Sequence, residues 1–164
     1  VVGSSEFAFW GIRGMIGNSL EVVFDLSLWL YLSRTSLDVV AWWGAVFSIA
    51  GDFFGMLMFG IAYFIIPQLG SELADGNASV LTLVTPPTIV LIGMLVPTLI
   101  GLFLSVFAIW RSSLLPKWAA ILWLVGMMLV PIQLLPVQLI ASLLWLVAGV
   151  GFLLAVWGKS HIPE

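Results

Sequence analysis

Long apolar runs broken by short polar turns set the plan of this chain. Five runs stand out, at 7–32, 38–66, 87–110, 116–131 and 137–158, and each reads as a helix rather than as strands. A membrane span needs about 20 apolar residues. The runs lack the alternation of barrel strands, so the expected fold is all-α, a bundle of five transmembrane helices forming a single domain over 1–164. The breaks carry turn chemistry: SRTS after the first run, PQLGSELADGNASV after the second, and VPIQLLP between the fourth and fifth. Merging the last two runs would give a helix of about 63 Å, twice the hydrocarbon thickness, so two spans are expected there. Pro86-Pro87 suits a helix start, and Pro97 predicts a kink inside the third helix.

Composition agrees with lipid as the solvent. The chain of 164 residues is 62% hydrophobic and only 8% charged, against roughly 25% charged in a soluble domain. Net charge is −3 with no basic block, which argues against nucleic acid as a partner. Without cysteine there is no disulfide or thiolate metal site, and no iron–sulfur cluster can be held. The single histidine, His161, leaves no pair to hold a bis-His haem. Lipid or pigment held by other groups stays compatible with the composition.

The basic residues give an orientation. Arg34, Arg111, Lys117 and Lys159 fall on one side of a five-span topology, while the second loop carries Glu72 and Asp75. The positive-inside rule then puts the C-terminus in the cytoplasm. The chain opens VVGSSEF, without Met or a signal pattern, so a sixth helix is expected to precede it. Trp10, Trp29, Trp42, Trp43, Trp110, Trp118 and Trp157 sit near span ends, where an aromatic belt is expected. Asn77–Ser79 matches a glycosylation sequon on the predicted outer side, meaningful only in a secretory-pathway host.

The first span poses the chemical question. GIRGMIGNSLEVVFDLSLWLYL carries Arg13, Asn18, Glu21 and Asp25. On a wheel, Arg13, Gly14, Gly17, Asn18, Glu21 and Asp25 share an arc of about 140°. In the second span Ala41, Ala45, Ser48, Asp52 and Gly55 recur at spacings of four and three, a stripe of small residues that turns Asp52 toward a helix. Glu21 and Asp52 are expected at similar depth, with Asp25 one turn further along. A charge there costs at least about 2.5–3.5 kcal/mol, so two facing carboxylates would not both stay ionised. Thr98 beside Pro97 is expected to answer backbone freed by the kink. Ser105, Gln133, Gln138 and Ser142 are expected to make helix contacts.

The segment WRSSLLPKWAAILWLVGMM resembles a pattern of small bacterial multi-pass membrane proteins without an assigned activity. In these a helix ends in Arg and the next opens Leu-Pro-Arg/Lys-Trp-Ala. The matching residues are Arg111, Leu115, Pro116, Lys117, Trp118 and Ala119, and the likeness runs loosely over the second to fifth helices. It implies about six helices and a bacterial inner membrane, with Trp110, Arg111, Lys117 and Trp118 as interfacial anchors. It carries no activity over.

Two functions follow. One is a non-catalytic membrane subunit or scaffold, packed in lipid against other membrane subunits or its own copies, with bound lipid or pigment. The absence of phosphate-loop, nucleophile-elbow and zinc motifs favours it over an enzyme. The other is a proton- or ion-linked transporter, or a lipid-modifying enzyme, using the intramembrane carboxylates.

Overall fold

The computed structural model describes residues 5–65, 88–129 and 135–160. Among the described residues five helices follow one another: α1 (Ser5–Leu32), α2 (Asp38–Phe64), α3 (Thr88–Ser112), α4 (Lys117–Leu129) and α5 (Leu135–Ser160). The protein is all-α, as its apolar runs demand. The second loop with its sequon, Pro86-Pro87, Gln133 and His161 lie outside the described residues, as do the side chains of Trp10 and Lys159.

Among the described residues four helices are long and apolar enough to cross a membrane: Gly11–Leu32, Asp38–Ile61, Thr88–Ser112 and Pro136–Gly158. The first has the lowest mean hydropathy of the four, 1.2 against 1.6, 2.5 and 2.5, because it holds the polar stripe. α4 has 13 residues, about 20 Å of helix against a core of about 30 Å. Large apolar side chains such as Phe9, Leu20, Phe53, Ile89, Leu143 and Leu154 stand exposed on the helix exteriors, where a bilayer would cover them.

The chain divides into two compact units, and α1, α2 and α3 each contribute to both. One unit comprises Val1–Leu28 and Ala45–Gly101. Glycines bring its helices together. A Cβ on Gly11 would fall 2.9 Å from the Tyr63 backbone nitrogen, and one on Gly14 would enter the Phe59 ring. Between α2 and α3, a Cβ on Gly51 would lie 2.9 Å from the Thr98 amide nitrogen and 3.0 Å from the Met94 carbonyl oxygen. Backbone meets backbone there, which only glycine permits.

The other unit comprises Trp29–Gly44 and Leu102–Glu164. Leu32, Leu102 and Ile109 are its fully buried large side chains, packed among small ones such as Ala41, Ala108, Ala119 and Ala120. α4 and α5 pack antiparallel, with Trp118 against Gly151, Trp145 against Gly126, and Trp123 edge-on to Phe152 at 6.3 Å. The α1–α2 turn is closed by Thr35, whose hydroxyl donates to Leu32 O at 2.7 Å and accepts from Leu37 N–H at 3.2 Å. Trp29 Nε1 donates to Asp38 Oδ1 at 3.0 Å and its ring lies 4.7 Å from that of Trp42. In the α3–α4 turn Ser113 takes φ 55°, and the Ser112 hydroxyl accepts from Leu114 N–H at 3.3 Å. Lys117 Nζ sits 5.3 Å from the centre of the Trp110 ring. Trp110, Arg111, Lys117 and Trp118 are all exposed.

Two expectations change. Thr98 donates its hydroxyl to Met94 O at 2.7 Å, whereas the carbonyl that Pro97 leaves without an amide partner belongs to Gly93, four residues back. The threonine back-bonds its own turn instead of mending the gap. Ser142 and Gln138 are exposed, and the Ser142 hydroxyl donates to Gln138 O at 2.9 Å. A hydroxyl satisfied by its own helix needs no neighbour.

Gly51→Ala should destabilise the protein by about 1–3 kcal/mol, because the methyl group meets backbone on α3. Gly149, with nothing near its absent Cβ, is the control, and Gly149→Ala should change stability by no more than about 0.5 kcal/mol. Denaturant titration in detergent micelles measures both.

Candidate functional site

The polar stripe of α1 meets α2 along an antiparallel seam. Steps of four and three residues along α1 take Gly14 to Asn18, Glu21 and Asp25. The same steps taken backward on α2 lead from Phe59 to Gly55, Asp52 and Ser48. The structure pairs them in that order: Gly14 against Phe59, Asn18 against Gly55, Glu21 with Asp52, and Asp25 with Ser48. Alternation of four and three is what keeps one face of a helix on a partner, so the seam follows from the sequence spacing itself.

Each rung has its own chemistry. Asn18 Nδ2 donates to Gly14 O at 2.8 Å, one turn back on its own helix. Its amide oxygen then faces Gly55, and a Cβ at that position would collide with it. The Glu21 and Asp52 side chains are within hydrogen-bonding reach of each other. Asp25 is hydrogen-bonded to the Ser48 side chain. Asp25, Ser48 and Asp52 are buried, at 4%, 6% and 4% exposure, and Glu21 is half-buried.

The layer is unbalanced in charge and in hydrogen bonds. The charged groups that face Asp52 are Glu21 and Asp25, both acidic. Asp52 Oδ2 is buried with no hydrogen-bond partner. Buried polar atoms are nearly always satisfied, and an unsatisfied one calls for a cause. Among the described residues no three acidic or histidine side chains lie close enough together to hold a metal ion.

Of the polar residues singled out in the sequence, the structure brings Asn18, Glu21, Asp25 and Asp52 onto one seam. It does not bring Arg13 there. Arg13 is exposed, and so is Gly17, which has nothing near its absent Cβ. An arc of about 140° includes both flanks of a seam, and only the partner helix shows which flank is covered. Ser48 is the member whose part the sequence did not show. It stood there as a small residue in the α2 stripe, and the structure makes it the partner of Asp25. The mirrored spacing on α1 was the signal that could have paired them.

No protein family, curated protein or solved structure matches the chain.

Gly55→Ala should destabilise the wild-type chain, since the new methyl meets the bonded amide of Asn18. In an Asn18→Ala background the same change should be far milder. The two substitutions should therefore couple by about 0.5–3 kcal/mol. A double-mutant cycle of unfolding free energies in micelles reads this directly, and strict additivity would mean the two residues do not share space.

Proposed function

We propose that this chain is a multi-pass membrane protein whose α1–α2 carboxyl layer takes up and releases an ion, making it an ion-linked transporter. One observation carries the reading: the buried, unpartnered Asp52 Oδ2 within a layer whose facing charges are all acidic. Ionisable groups inside a membrane span are costly and mark ion and proton pathways by default. A layer serving only to hold two helices together has no use for a lone oxygen, because glue requires bonds to be made.

The membrane is, on this reading, the bacterial inner membrane, with the C-terminus in the cytoplasm and lipid around the apolar helix exteriors. Copies of the chain or other membrane subunits are the expected partners. The scaffold reading keeps one observation on its side. Gly17 and Gly149 are exposed with open space beside them, and small residues on a lipid-facing surface suit the close approach of another helix.

Glu21→Gln and Asp52→Asn remove titration while keeping shape and hydrogen-bonding capacity. In reconstituted vesicles each should reduce ion movement to the level of protein-free vesicles, with unchanged extraction and gel-filtration behaviour. Full movement in both variants would leave the layer as helix packing and favour the scaffold.

Orientation has its own test, made clean by the absence of cysteine. Ser36→Cys and Ser113→Cys, in exposed positions of the α1–α2 and α3–α4 turns, should both react with a membrane-impermeant maleimide in inverted vesicles. Neither should react in intact spheroplasts. Labelling of the two from opposite sides would overturn the topology.

A further inference from the structure

We infer that the ion handled by this layer is the proton, held between the Glu21 and Asp52 carboxyls, and not a metal cation. This names the substrate of the ion-linked reading and rests on it.

The first argument is the rung itself. An ionised carboxylate only accepts hydrogen bonds, so two carboxyls in bonding contact need a proton between them. Glu21 and Asp52 stand in that contact.

The second is the donor set. Hard cations such as calcium ask for six to eight oxygens, and magnesium for an octahedron. Here two carboxyls share one level. Asp25 lies four residues further along α1, about 6 Å of helical rise away, and is engaged by Ser48. Among the described residues no acidic trio is close enough for a metal ion. One carboxyl pair and an asparagine oxygen facing Gly55 are too few ligands for a dehydrated cation, yet one pair is all that a proton needs.

The third is the burial of Asp52 Oδ2. Its residue is 4% exposed and the atom has no partner. It is a free acceptor inside the layer, the kind of atom to which a proton attaches or from which it departs.

Among the described residues, the surroundings of the layer offer no basic group to neutralise it. α1 presents Asn18, Glu21 and Asp25, and α2 presents Ser48 and Asp52. α3 touches α2 at Gly51 with Thr98 and Met94, and has no titratable residue between Thr88 and Gly101. Arg13, two turns away from Glu21 on α1, is exposed. The step is an exchange: the O–H bond of the protonated carboxyl breaks as an O–H bond forms on its partner. Uptake at the free Asp52 oxygen and release toward Asp25 and Ser48 each move one proton and no other atom.

The experiment uses the whole chain in vesicles carrying a trapped pH dye, with an inward proton gradient imposed in sodium, potassium or N-methylglucamine chloride. The expected result is internal acidification at the same rate in all three media. It should be lost in Glu21→Gln and in Asp52→Asn, with both variants monodisperse and helical by circular dichroism. Acidification that requires sodium or potassium, with uptake of the labelled metal cation through the same carboxyls, would overturn the proton assignment and leave the ion-linked reading standing. If neither protons nor metal cations move in the wild type beyond protein-free vesicles, the ion-linked reading falls and the assignment with it.

Discussion

Hydrocarbon offers no hydrogen bonds, and most of what is seen in this protein follows from that. A polar atom placed at depth either finds its partner in the chain or goes without one. The isolated hydroxyls find theirs locally: Ser19, Ser27, Thr98 and Ser142 each donate to the carbonyl four residues back on their own helix. An ionised carboxylate cannot use that route, because it donates nothing. The carboxyls are gathered on the seam between α1 and α2, where Asp25 finds Ser48 and Glu21 finds Asp52.

Close approach makes this arrangement workable. Gly14 and Gly55 remove side chains where α1 and α2 meet, and Gly51 does the same where α3 lies on α2. Each glycine is specific to one neighbour: Phe59, Asn18 and the α3 backbone respectively. Small residues and polar residues thus alternate along the same faces, the first setting the distance and the second using it. One further step of the same spacing reaches Leu28 on α1 and Ala45 on α2, both buried and apolar. The polar layer is therefore confined to the middle of the helices, at the depth where it is most costly and best shielded.

The helices themselves were legible because hydropathy runs and turn residues are local signals. The expected starts and ends agree with the observed ones to within a few residues, as at Ser33–Leu37, where polar turn residues interrupt two apolar runs. The α2 stripe was legible for the same reason, since a spacing of four and three declares a face. What escaped depended on a second helix. Arg13 and Gly17 share an arc with Asn18 and Glu21 on the wheel, but lie on the flank that stays exposed. Ser48 looked like a spacer until Asp25 stood opposite it. The partner of Thr98 was misjudged because a proline gap and a back-bonding hydroxyl differ by one carbonyl along the same turn.

The strict alternation of four and three has a consequence for handedness. It repeats every seven residues, or 3.5 per turn, slightly less than the 3.6 of a straight α-helix, a drift of about 20° per heptad. On a straight helix Leu28, two heptads beyond Gly14, would sit about 40° round from it. A seam of this spacing, extended over further heptads, is the kind that closes when two helices wind about each other with a left-handed twist. With such a twist, a line drawn from Asn18 through the Glu21–Asp52 rung to Asp25 and Ser48 would be a shallow left-handed spiral around the axis of the pair.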